Sequence, residues 1–160
     1  MVDGTLPQDP VELEELARGK HRKLTLVDAY RILRDRWRHG DREREMCLHL
    51  LFLSWYGMIE PSFVFGDCND GDELCKTFHD VLRYFEPVLP NDPELLYVIG
   101  LPLSMWPWMF GDEEFWETTA KRFRAQYREL TPNGLSPSVF ADRGEFGNYY
   151  ASQVSVEGGF

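Results

Sequence analysis

A chain of 160 residues, 43% hydrophobic and carrying 11 Phe, 7 Tyr and 5 Trp, has apolar surface enough for one domain with a sizeable core, which argues against disorder over most of its length. A net charge of −10 opposes the attraction to phosphate on which nucleic-acid binders rely and favours a basic partner. Three cysteines without framework spacing suit free thiols in a reducing compartment, not a disulfide-stapled secreted domain.

The charge is unevenly placed. Residues 18–44 hold ten Lys or Arg against four Asp or Glu, whereas residues 51–120 hold thirteen acids against only Lys76 and Arg83. Residues 1–7 lack a basic stretch followed by an apolar one, so no secretory signal is expected. The run 46–59 carries no formal charge apart from His49, and Glu60 and Pro61 end it. It is shorter than the roughly twenty residues that a spanning helix needs. The expectation is a soluble, cytoplasmic protein with no membrane segment.

In chain order, Asp9-Pro10-Val11-Glu12 reads as a helix start, with Asp9 to cap and Pro10 preset at the first helical position. That helix is short and ends near Gly19, and residues 20–23 form a basic linker. Thr25 and Asp28 offer a second cap for a helix over 25–38, in which Leu26, Ala29, Tyr30, Leu33 and Trp37 recur at three-to-four spacing. His39-Gly40-Asp41 breaks it and caps the next helix, which enters the apolar run. The connection is so short that the two helices should pair antiparallel. Pro61 opens a loop whose Phe63, Val64 and Phe65 are expected to tuck inward. Asp70 caps a helix over 72–86, and its buried stripe is Leu74, Phe78, Val81, Leu82 and Phe85.

Asp92-Pro93-Glu94 starts a fifth helix, expected to run until Gly100 or Pro102 interferes. The aromatic segment 101–110 follows, with Pro102 and Pro107 discouraging a regular helix. A sixth helix over 112–130 has acids first and Lys121, Arg122, Arg124 and Arg128 later, as the helix dipole favours. Glu117 and Lys121 are spaced to pair. From Thr131 onward Pro, Gly, Ser and Asn prevail, and the tail is expected to be irregular but docked through Phe140, Phe146, Tyr149 and Tyr150, with short extended pieces at 139–140 or 153–156.

The fold expected is therefore all-α: one domain over 1–160, a bundle of about six helices in antiparallel pairs, with an irregular segment at 131–160. The run 46–59 should be its central buried helix, receiving the stripes of 26–37, 74–85 and 116–130. Its polar groups, His49 among them, then read as satisfied core residues.

Candidate chemistry is sparse. Cys68, Cys75 and His79 approach a zinc constellation, since Cys75 and His79 share a helix face, but the usual close cysteine pair is missing and buried or surface free thiols fit as well. Around Asp67 to Asp72 the acids suggest a calcium loop, but the register fails: Phe78 stands where a bidentate Glu is required. No phosphate-cradling glycine loop and no nucleophile motif is present. Arg31, Arg34, Arg38, Arg42 and Arg44 could grip an anion, though interleaved Asp28, Asp35, Asp41, Glu43 and Glu45 favour a salt-bridged face.

Trp106, Trp108 and Phe110, with Met105 and Met109, either fill space between helices or form a recognition surface. The acids Asp112, Glu113, Glu114 and Glu117 would rim that surface. In size, acidity and lack of a catalytic constellation the chain resembles the small immunity proteins that neutralise bacterial toxins, or a compact adaptor. The resemblance is one of composition and covers no motif. The functional expectation is a non-catalytic module without cofactor that binds a basic protein through Trp106, Trp108, Phe110, Asp112, Glu113, Glu114 and Glu117. The alternatives are a metal or thiol enzyme using Cys68, Cys75 and His79, and an anion or nucleic-acid binder using the arginine cluster.

Overall fold

The computed structural model describes residues 6–18, 24–68 and 70–156, and these contain no strand. The linker read at 20–23 lies outside the described residues. Eight α-helices are found among them: α1 (Pro10–Leu16), α2 (Leu26–Arg38), α3 (Arg44–Ile59), α4 (Ser62–Phe65), α5 (Gly71–Phe85), α6 (Pro93–Met105), α7 (Glu113–Leu130) and α8 (Gly144–Val154). Short 3-10 turns lie at Leu89–Asn91, Pro107–Phe110 and Pro137–Phe140. No helix among the described residues is long and apolar enough to cross a membrane.

Local chemistry sets most of the starts. The carboxylates of Asp9, Asp92 and Asp112 accept from the backbone N–H three residues on, and Thr25 with Asp28 forms a reciprocal capping box. Asp70 does the same for α5, accepting from the Glu73 N–H at 2.9 Å. The cap of α3 departs from expectation: Glu43 caps it, while Asp41 accepts from the Glu43 N–H and holds Arg36 at 2.7 Å.

The chain divides into two compact units, Met1–Phe78 with Asp142–Phe146, and His79–Ala141 with Gly147–Phe160. In the first, α2 packs on α3, and α1 touches both. Helix α3 is buried on every side from Met46 to Tyr56, as an uncharged run requires. On α2, Tyr30 is buried and its hydroxyl lies 2.9 Å from the Thr77 hydroxyl. In the second unit the central element is α6, wholly buried from Leu95 to Leu103, and α7 packs along it. The partner of the α7 stripe is thus α6, where the sequence pointed to 46–59.

Helix α6 also runs through Pro102 to Met105 instead of stopping there. Proline at this position removes the N–H that would have bonded the Val98 carbonyl. The hydroxyl of Tyr150, on α8, donates to that carbonyl at 2.7 Å. Burial of Leu101 and Leu103 does the rest.

The tail is a further correction. Residues 137–140 form a 3-10 turn and 144–154 a helix, where an irregular segment and extended pieces were expected. Gly144, Gly147 and Asn148 depress helix propensity, but buried Phe140, Phe146 and Tyr150 hold the segment by tertiary packing. Tyr149 is half-buried. Another difference is α4, one turn inside the expected loop: Phe65 is buried, but Phe63 is 76% exposed.

Candidate functional site

Helix α7 opens a groove in the second unit. Gly111 takes φ +133°, closed to most side chains, and a Cβ there would lie 3.2 Å from the Trp116 indole nitrogen. The chain therefore turns sharply out of the Pro107–Phe110 turn into the Asp112 cap, whose carboxylate accepts from the Phe115 N–H at 2.8 Å. This start leaves Phe115 57% exposed and Trp116 half-buried, their rings edge to face at 4.8 Å.

The Trp116 ring is held from behind. His79 stacks on it at 5.2 Å with 29° between planes, and His79 Nε2 lies 2.7 Å from the Phe110 carbonyl oxygen. Phe115, Trp116, Thr119, Arg122, Phe123 and Gln126 recur on one face of α7 and form one wall of a cavity of about 400 Å³. Leu82, Glu86, Leu89 and Pro90 supply the other. The Gln126 side-chain amide donates to the Pro90 carbonyl at 2.9 Å, tying the walls together. The Arg122 guanidinium lies 5.5 Å from the Phe123 ring centre. Among the described residues neither Arg122 nor Glu86 has an ion-pair partner.

Comparison with protein-family models, with curated proteins and with solved structures found no match.

Of the surface residues expected from sequence, Trp108 is 59% exposed and Asp112, Glu113, Glu114 and Glu117 are all exposed. Trp106 is half-buried. Phe110 is the correction: at 2% exposure it belongs to the interior, because the Gly111 turn directs it beneath His79. The sequence missed Phe115, Arg122 and Glu86 as groove residues and counted Trp116 as buried stripe. The available signal was Phe115, an aromatic residue on the polar side of an amphipathic helix. Glu117 and Lys121 do not form the expected pair.

The cysteines and histidines do not assemble. Among the described residues no group of three or more His, Cys, Asp or Glu is placed to hold a metal ion. His79 is engaged by Phe110 and Trp116. Burial, with Asp72 nearby, pushes the Cys75 thiol up, and burial pushes that of Cys47 up to about 12. Such a thiol is a poor nucleophile.

The arginines of the first unit face carboxylates. Arg34 and Arg38 share Glu73 at 2.7 and 2.8 Å, Arg34 also meets Asp35 at 3.1 Å, and Arg31 lies 3.9 Å from Asp28. Arg42 lies over the Trp37 ring at 3.5 Å and donates to two backbone carbonyls.

One polar cluster lies inside the first unit. His49 on α3 is wholly buried between Glu14 of α1, also wholly buried, at Nδ1, and Glu45 at Nε2, 3.0 Å away. Arg143 grips both Glu45 oxygens at 2.8 and 2.7 Å, and the Phe146 N–H donates to Glu14 at 2.9 Å. With a carboxylate at each ring nitrogen, the imidazole is a donor at both and therefore cationic. Burial alone would lower its pKa, but Glu14 and Glu45 outweigh that and hold it at about 9. Burial likewise opposes ionisation of Glu45, yet His49 and Arg143 hold it at about 2. Glu14 is pushed up by burial, against the pull of His49. Sealed from solvent, His49 and Glu14 meet no solute, and the cluster fastens α1 and the start of α8 to α3.

Proposed function

We propose that this protein is a non-catalytic binding module that holds a basic protein partner through the acidic and aromatic face of its second unit. The observation that carries this reading is the run of exposed carboxylates Asp112, Glu113, Glu114 and Glu117 at the start of α7, in a unit that also exposes Trp108 and Phe115. Aromatic anchors supply contact area, and same-sign charge around them steers an oppositely charged partner. The paired state of Arg31, Arg34 and Arg38 favours this face over the arginine cluster. Masking of a toxin in the manner of immunity proteins, or service as an adaptor, are the forms that the acidity and size suit best.

The test is charge reversal away from the cap. Glu113→Lys, Glu114→Lys and Glu117→Lys together should weaken capture of the native partner from its source extract by about tenfold or more at low salt, with the circular dichroism spectrum unchanged. Equal capture by wild type and variant would show the face to be wrongly assigned.

A further inference from the structure

Two features mark the groove along α7. Its walls are apolar at Leu82, Leu89, Phe115, Trp116 and Phe123, and the two charged side chains that line it, Glu86 and Arg122, have no ion-pair partner among the described residues. In the first unit, by contrast, Arg34, Arg36 and Arg38 each reach a carboxylate within 2.8 Å. Charge is also divided along α7, with acids at 112–117 and Lys121, Arg122, Arg124 and Arg128 after Thr119. A segment lying along this helix therefore meets negative potential beside Phe115 and positive potential about two turns later.

The cavity of about 400 Å³ falls in the range of roughly 300–1,000 Å³ that takes a few side chains or a small ligand, and is too small for a folded domain. The His79 stack behind Trp116 and the Gln126 bond to Pro90 keep it formed before anything enters, which lowers the ordering cost of binding.

We propose that this groove takes a peptide segment of the partner with a defined polarity. The segment seats an apolar or aromatic side chain between Leu82 and Phe123, presents Lys or Arg toward the first turns of α7, and presents Asp or Glu to Arg122. This rests on the reading of the protein as a binder of a basic partner and adds to it an anchor and a direction.

The probe is a displayed library of random short peptides panned against the full chain, followed by calorimetric titration of the selected peptides. Selected sequences should share an apolar anchor with basic residues on one side and an acid on the other. Phe115→Ala should weaken them about tenfold, and panning against Arg122→Glu should replace the acid by a base. Both positions are exposed, so unchanged circular dichroism separates these effects from misfolding. Anchored peptides without the basic flank would overturn the basic-partner reading, and this proposal with it. Basic peptides indifferent to both Phe115→Ala and Arg122→Glu would overturn the groove alone, and recovery of no consensus would overturn it as well.

Discussion

His49 sits in a helix whose neighbours are almost all apolar, and an imidazolium is stable there because Glu14, Glu45 and Arg143 neutralise it and each other. The sequence shows that His49 is buried, since no helix side from 46 to 56 is polar. It does not show Glu14 or Arg143 as partners, because their separation along the chain leaves no local pattern. The pH response follows from the direction of each shift. His49 keeps its proton to about 9 in the folded chain against 6.5 ordinarily, so its contribution is complete below 6.5 and is lost as pH rises through 9. Glu14, raised by burial, acts in the same sense. Glu45 is held at about 2 against 4.5, so its contribution is present above 4.5 and is lost as pH falls toward 2. Urea midpoints should therefore decline on the acid side as Glu45 is protonated and on the alkaline side as His49 loses its proton, with Glu14 adding to the loss above 4.5. His49→Gln should remove about 3 kcal/mol at pH 6 and flatten the alkaline decline. An alkaline slope unchanged in His49→Gln would assign it to other groups.

At the scale of elements, what was legible was local. Caps at Asp9, Thr25, Asp92 and Asp112 act within three residues, and the helices they start are found where the pattern placed them. The passage of α6 through Pro102 and the folding of 144–154 into a helix were not legible separately, and they are linked. The proline leaves the Val98 carbonyl without its helical donor, and Tyr150 of α8 donates to it instead. A pairing of this kind, 52 residues apart, leaves no periodicity to read. It makes the two positions energetically coupled. Tyr150→Phe should cost about 1–3 kcal/mol by stranding a buried carbonyl. In a Pro102→Ala background the same change should cost less, because the substituted alanine restores the N–H that satisfies Val98. Chemical denaturation of the four proteins gives the coupling directly. Additive effects within about 0.5 kcal/mol would mean that the hydroxyl contributes nothing through Val98.

Over the whole molecule, charge is arranged in two regimes. Among the described residues of the basic stretch, Arg34 and Arg38 pair with Glu73 and Arg36 with Asp41, while the acids at the start of α7 stay exposed. Composition made the acidic middle visible. It did not show that the apolar centre is double, because Gly100, Pro102 and Pro107 disguise α6, whereas 46–59 carries no such breaker before Gly57. The same excess of negative charge gives salt two opposite effects. A net charge of −10 repels itself in the compact state, and screening relieves that repulsion at a Debye length of about 10 Å at 0.1 M and 3 Å at 1 M. Binding of a basic partner loses its steering over the same range. Raising sodium chloride from low concentration to about 0.5 M should therefore hold or raise the urea midpoint of the free protein while slowing association with the partner by about tenfold or more. Stopped-flow association measured alongside denaturation distinguishes the outcomes. An association rate that does not fall with salt would place the partner's contact on the apolar groove and remove the acids from recognition.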